Sequence, residues 1–198
     1  MRLFVAALVV TATLYAGPAQ AADLFAMSFE DFRKAFDERI REDTLDKAEV
    51  NFSTTKQCTK KGTTSTCTFN DKGFQSTVAS FKKMDLVSGK FTLKLTLTAE
   101  TKDGKVSHIR LIGSRGDPVN IFQYVSTVMN IMQLFEPGIV DGEGKSLALV
   151  KQLGIMRGDA DPSINEPVVN IEPYAVVECL NVHSNITSGV ACNWTPRS

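Results

Sequence analysis

The chain has no excess of either charge: 22 Lys and Arg stand against 22 Asp and Glu in 198 residues. A nucleic-acid partner normally needs a concentrated basic face, so polyanion binding by the chain as a whole is not the default expectation. Histidine is scarce, with only His108 and His183. No C-x-x-C pair occurs among the four cysteines, so neither a zinc site nor a redox-active dithiol has its usual spacing. No G-x-S-x-G is present, and no cofactor motif stands in the sequence. Beyond the N-terminus, no segment is both long and apolar enough to span a bilayer. Disorder is excluded too, because 43 % hydrophobic content with balanced charge supplies the core of one ordinary domain.

The first stretch that is clearly patterned is the N-terminus. Arg2 gives a positive start, Leu3 to Tyr15 is almost purely apolar, and Gly17-Pro18 breaks any helix. Ala19-Gln20-Ala21 then offers small residues where a signal peptidase needs them. The expectation is a secretory leader over residues 1–21 and a single exported domain over 22–198, in the periplasm or the medium.

That address makes the even cysteine count read as two disulfides. Lys61-Gly62-Thr63-Thr64 is a two-residue hairpin turn of the Gly-X kind, with Gly62 at positive φ. Counting outward places Cys58 opposite Cys67 in a non-hydrogen-bonded pair, where Cα atoms approach to about 4.5 Å. Cys179 and Cys192 flank a second hairpin turning near Asn185. The pairing expected is Cys58–Cys67 and Cys179–Cys192, the first worth roughly 3 kcal/mol or less on chain entropy.

Ser28 to Asp43 reads as a helix. Ser28 caps it with Asp31 at the third position, and Phe25, Phe29, Phe32, Phe36 and Ile40 form one apolar stripe. Glu30 with Lys34, and Asp37 with Arg41, are spaced as i,i+4 pairs on the wet side. A meander follows: about Lys47 to Cys58, Thr64 to Asn70, Phe74 to Phe81, Lys90 to Glu100 and Lys105 to Gly113. Phe91 to Ala99 alternates without a break, so one face is buried and the Thr-rich face is wet.

A three-residue loop, Lys102 to Gly104, is expected to set Leu97 opposite Ile109 and Leu95 opposite Leu111. A two-residue loop alone would turn the apolar side chains to the wrong face. His108 and Arg110 then point outward beside Thr98 and Thr96.

Asp117 and Pro118 open a second long helix that ends near Phe135. It carries no charged residue. Ile121, Val125, Val128, Met132 and Phe135 form its main stripe; Phe122, Met129 and Ile131 widen it. A short helix spans about Lys145 to Leu153, Arg157 to Glu166 is a polar loop, and Val168 to Ile171, Tyr174 to His183 and Gly189 to Thr195 read as strands. Strands in runs argue an α+β fold, an antiparallel meander packed on helices. A helix followed by a bridged hairpin occurs twice, which allows a weak duplication of 22–113 and 117–198.

Several motifs fail on spacing. Gly138 to Ser146 has one residue too many for a phosphate loop. Asp159, Asp161, Ser163 and Asn165 lack the glycine and terminal glutamate of a calcium loop. Arg115-Gly116-Asp117 is explained by the helix cap, and no metal ligand set emerges.

The function expected is non-enzymatic binding of a partner protein or an apolar small molecule at the sheet–helix layer. The residues expected to carry it are Thr96, Thr98, His108 and Arg110 on the exposed strand face, or Phe122 and Met129 on the spare side of the uncharged helix. The alternatives are a small hydrolase using acidic residues with His108, and a structural component of an envelope assembly.

Overall fold

A computed structural model describes residues 23–43, 57–69, 95–114, 118–140, 142, 144–157, 166–184 and 187–198. The expected leader, the strand segments over 47–56 and 74–81, the start of the Phe91 strand, the Asp117 cap and most of the 157–166 loop lie outside those residues. The described residues form an α+β fold with a seven-stranded antiparallel sheet packed against helices.

After a 3-10 turn at Leu24–Ala26, α1 runs Phe29–Asp43, α2 Pro118–Phe135 and α3 Lys145–Gln152. The strands are β1 Gln57–Lys61, β2 Thr64–Thr68, β3 Leu95–Lys102, β4 Lys105–Ser114, β5 Val168–Ile171, β6 Ala175–Ser184 and β7 Thr187–Pro196. Their order across the sheet is β1-β2-β3-β4-β7-β6-β5. The β4–β7 pairing joins N- and C-terminal halves into one sheet.

Local chemistry accounts for the elements. The Asp31 amide donates to Ser28 Oγ at 3.2 Å, and Ser28 Oγ donates to Asp31 Oδ2 at 2.7 Å, closing the N-terminus of α1. Phe29, Phe32, Phe36 and Ile40 are all buried. The three rings among them surround Phe69, just past β2, with centroids 5.4, 5.7 and 5.6 Å away. Asp37 departs from expectation. It is 4 % exposed and meets Arg33 at 3.3 Å, and Arg33 also holds Glu30 at 3.0 Å. Asp37 therefore belongs to the packed flank of α1 rather than to a wet i,i+4 pair with Arg41.

The two bridges are Cys58–Cys67 and Cys179–Cys192, and no described cysteine is free. Each joins partners directly opposite in a hairpin. Gly62 takes φ 63° between the paired Lys61 and Thr64, as the Gly-X turn requires.

The β3–β4 hairpin differs from the expected loop. It turns through the two residues Asp103-Gly104, both at positive φ, with Lys102 opposite Lys105. A bulge at Glu100/Thr101 then shifts the pairing, so Leu97 faces Leu111 and Ala99 faces Ile109. The expected partners, Ile109 for Leu97 and Leu111 for Leu95, are thus each displaced by two residues. The physical reason lies in the alternation of side chains. A one-residue offset is needed to keep Leu95, Leu97, Ile109 and Leu111 on the buried face, and a bulge provides it as well as a longer loop does. The Ser107 hydroxyl, at the extra residue, donates to the Glu100 carbonyl at 3.3 Å.

α2 lies on the buried face of the sheet. Tyr124 is fully buried against Gly113 of β4, where a Cβ would stand 2.2 Å from its Cδ2. The Trp194 indole N–H donates to Met132 Sδ at 3.3 Å. The buried face of α2 is turned from the expected one: Tyr124 and Ile131 are fully buried, Ile121 and Val125 only partly, and Phe122 is 57 % exposed. Gly113 supplies the reason, because its missing side chain admits the Tyr124 ring. Asn120, Gln123, Thr127 and Asn130 are buried along the flank of the same helix.

Candidate functional site

The alternation of β3 and β4 leaves Thr96 and Arg110 exposed and Thr98, Glu100, His108 and Ile112 half-buried on the face opposite the helices. The register extends this face across the whole sheet. Gln57, Thr68, Thr98, Arg110, Asn193, Glu178 and Val168 are successive cross-strand partners, one from each of the seven strands. Arg110 occupies the centre of this rung, with Glu178 two strands away.

His108 stands beside that rung. Its Nδ1 lies 3.7 Å from Glu100 Oε2, directly across the β3–β4 pair, and its Nε2 lies 3.2 Å from Asn193 Oδ1 on β7. The ring thus faces an acceptor at each nitrogen. A doubly protonated imidazolium donates to both, whereas a neutral ring donates to one. A histidine engaged on both sides is held in place, but it has no free nitrogen pointed at a nucleophile. Among the described residues, no three His, Cys, Asp or Glu side chains converge as metal ligands do.

The structure therefore brings together Thr96, Thr98, His108 and Arg110 on one face, with Thr98 opposite Arg110 and Thr96 opposite Ile112. Phe122 and Met129 are elsewhere. Phe122 is exposed on α2, while Met129 is 8 % exposed and belongs to the core. The strand of His183 pairs with β7, His183 opposite Ser188. Sequence reasoning missed Glu100, Asn193 and Glu178. Glu100 becomes visible once the bulge fixes the register. Asn193 and Glu178 arrive through the β4–β7 pairing, which leaves no mark in local sequence.

Away from this face, burial pushes the Asp37 carboxyl up to about 6, against the lowering pull of Arg33 and Arg41. Its Oδ1 has no hydrogen-bond partner.

No helix among the described residues is long and apolar enough to cross a membrane. Comparison with protein-family models, with curated proteins and with solved structures finds no match to this chain.

Proposed function

We propose that this chain is an exported, disulfide-stapled binding protein that meets a partner protein through the outward sheet face centred on Arg110. The observation that carries the proposal is the unbroken seven-strand rung from Gln57 to Val168, with Arg110 and Glu178 both exposed on it. Interfaces are enriched in arginine, and mixed charge on a broad face serves specificity more than raw affinity. Export is supported by the two closed bridges, which persist in oxidising compartments.

A partner protein is favoured over an apolar small molecule. Tyr124, Met132, Leu111 and Trp194 are each fully buried between α2 and the sheet, and they fill the layer where an apolar ligand would sit. The test is cross-linking capture from envelope extract with wild-type protein and Arg110→Glu. A partner held by the first and lost from the second supports the face. Capture of nothing, or of the same partner by both, rejects it. A partner that is a large envelope complex would place the chain among structural components.

A second reading takes the Glu100–His108 pair as the acid–base half of a hydrolytic site, and it requires Nε2 to exchange Asn193 for a reacting group. Esterase, glycosidase and peptidase turnover that vanishes in His108→Ala would establish it in place of binding.

A further inference from the structure

We propose that the cleft over the β1–β2 hairpin binds clustered phosphate groups. The cleft has a volume of about 670 Å³ and is lined by Thr59, Lys60, Lys61, Thr64 and Thr66. The sheet adds two more cations beside it. Lys61 pairs with Thr64, Thr64 with Lys102, and Lys102 with Lys105, so one rung at this end of the sheet carries three lysines. The two hairpin tips are tied together, because the Asp103 amide donates to the Thr63 carbonyl at 3.2 Å.

Among the described residues, none of the four ammonium groups is held in an ion pair. The carboxylates nearby in the register are Asp103, in the turn itself, and Glu100, the cross-strand partner of the cleft-lining Thr66, with its Oε2 3.7 Å from His108 Nδ1. Among the described residues, four lysines against Asp103 and Glu100 leave this pole with a net positive charge within a chain that is neutral overall. The strand spacing puts Lys61 and Lys102 roughly 10 Å apart at Cα, so the flexible lysine stems can converge on one phosphate or spread over several borne on one ligand.

The lining also says what is not recognised. It contains no aromatic ring, so bases and sugar rings have nothing to stack on. Hydroxyl donors beside ammonium point charges suit phosphate oxygens. The groups are those of a soluble polyphosphate or of anionic lipid headgroups. The cleft lies at the β1 edge of the sheet, three strands from Arg110 on β4, and phosphate binding there does not depend on a partner meeting Arg110.

The experiment is calorimetric titration with inorganic tripolyphosphate, alongside co-sedimentation with phosphatidylglycerol-rich and with pure phosphatidylcholine vesicles. Saturable binding to tripolyphosphate, to the anionic vesicles or to both is expected, and the responding arm identifies the source. Lys60→Gln/Lys61→Gln should weaken it by roughly tenfold or more, and raised salt should weaken it further. Lys102→Gln/Lys105→Gln, on the neighbouring hairpin, should also weaken it and serves if the first variant folds poorly. Lys145→Gln/Lys151→Gln on α3 should leave it within about twofold. No binding in either arm, equal binding to neutral vesicles, or equal loss in the α3 control overturns the proposal.

Discussion

Asp37 illustrates how one side chain can link the fold to pH. Its carboxyl titrates at about 6 in the folded chain against 3.8 for an ordinary aspartate, chiefly because burial penalises the charge. The folded state binds this proton more tightly than the unfolded one. The stabilising contribution is therefore complete below pH 3.8 and is lost as the pH rises through 6. Asp37→Asn should raise stability by about 2–3 kcal/mol at pH ~8 and change little at pH ~3.5, in paired urea titrations. An equal shift at both pH values would show that charge is not the cause. Gly113 gives the complementary steric case. Gly113→Ala drives a methyl into the Tyr124 ring and should cost about 1–3 kcal/mol. In a double-mutant cycle with Tyr124→Leu the two effects should be non-additive.

At the scale of elements, turns and staples set the register. Gly104 sits at φ 81°, and a methyl group there would meet nothing within 4 Å, so Gly104→Ala brings only backbone strain. It should cost about 1 kcal/mol in thermal or urea unfolding. Ser28→Ala removes the acceptor for the Asp31 amide and should cost a similar amount, about 1 kcal/mol. The bridges differ in setting: Cys58 is exposed and Cys67 buried on the outer hairpin, whereas Cys179 and Cys192 are both buried within the sheet. Replacing the first pair with serines should cost roughly 3 kcal/mol or less. The second should cost more, because two buried hydroxyls would also need partners.

At the scale of the whole molecule, the β4–β7 pairing makes one sheet from chain segments separated by two helices and a hairpin. The core is continuous across that seam: Ile109 faces Trp194 and Leu111 faces Cys192. Trp194 is fully buried at the junction and senses both halves at once. Its fluorescence should therefore change in a single transition that coincides with far-UV circular dichroism. Two separated transitions would mean that the halves unfold independently.

Much of this fold is legible in local sequence because its causes are local. The period of two in Leu95 to Ala99, the Ser28 cap, the Gly62 turn and the opposition of Cys58 to Cys67 depend on residues close by in the chain. The α+β class follows from strands occurring in runs. What local sequence leaves open depends on partners far along the chain. Phe122 and Tyr124 are both aromatic, and only the space at Gly113 decides which one is buried. Asp37 looks like a surface carboxylate until α1 is packed. Asn193 meets His108 only because β7 lies beside β4, and Lys61 joins Lys102 and Lys105 only because β2 lies between β1 and β3. Side-chain periodicity records which face is buried, but it carries no information about which distant strand lies next to it, and that adjacency assembles both the Arg110 face and the lysine-lined cleft.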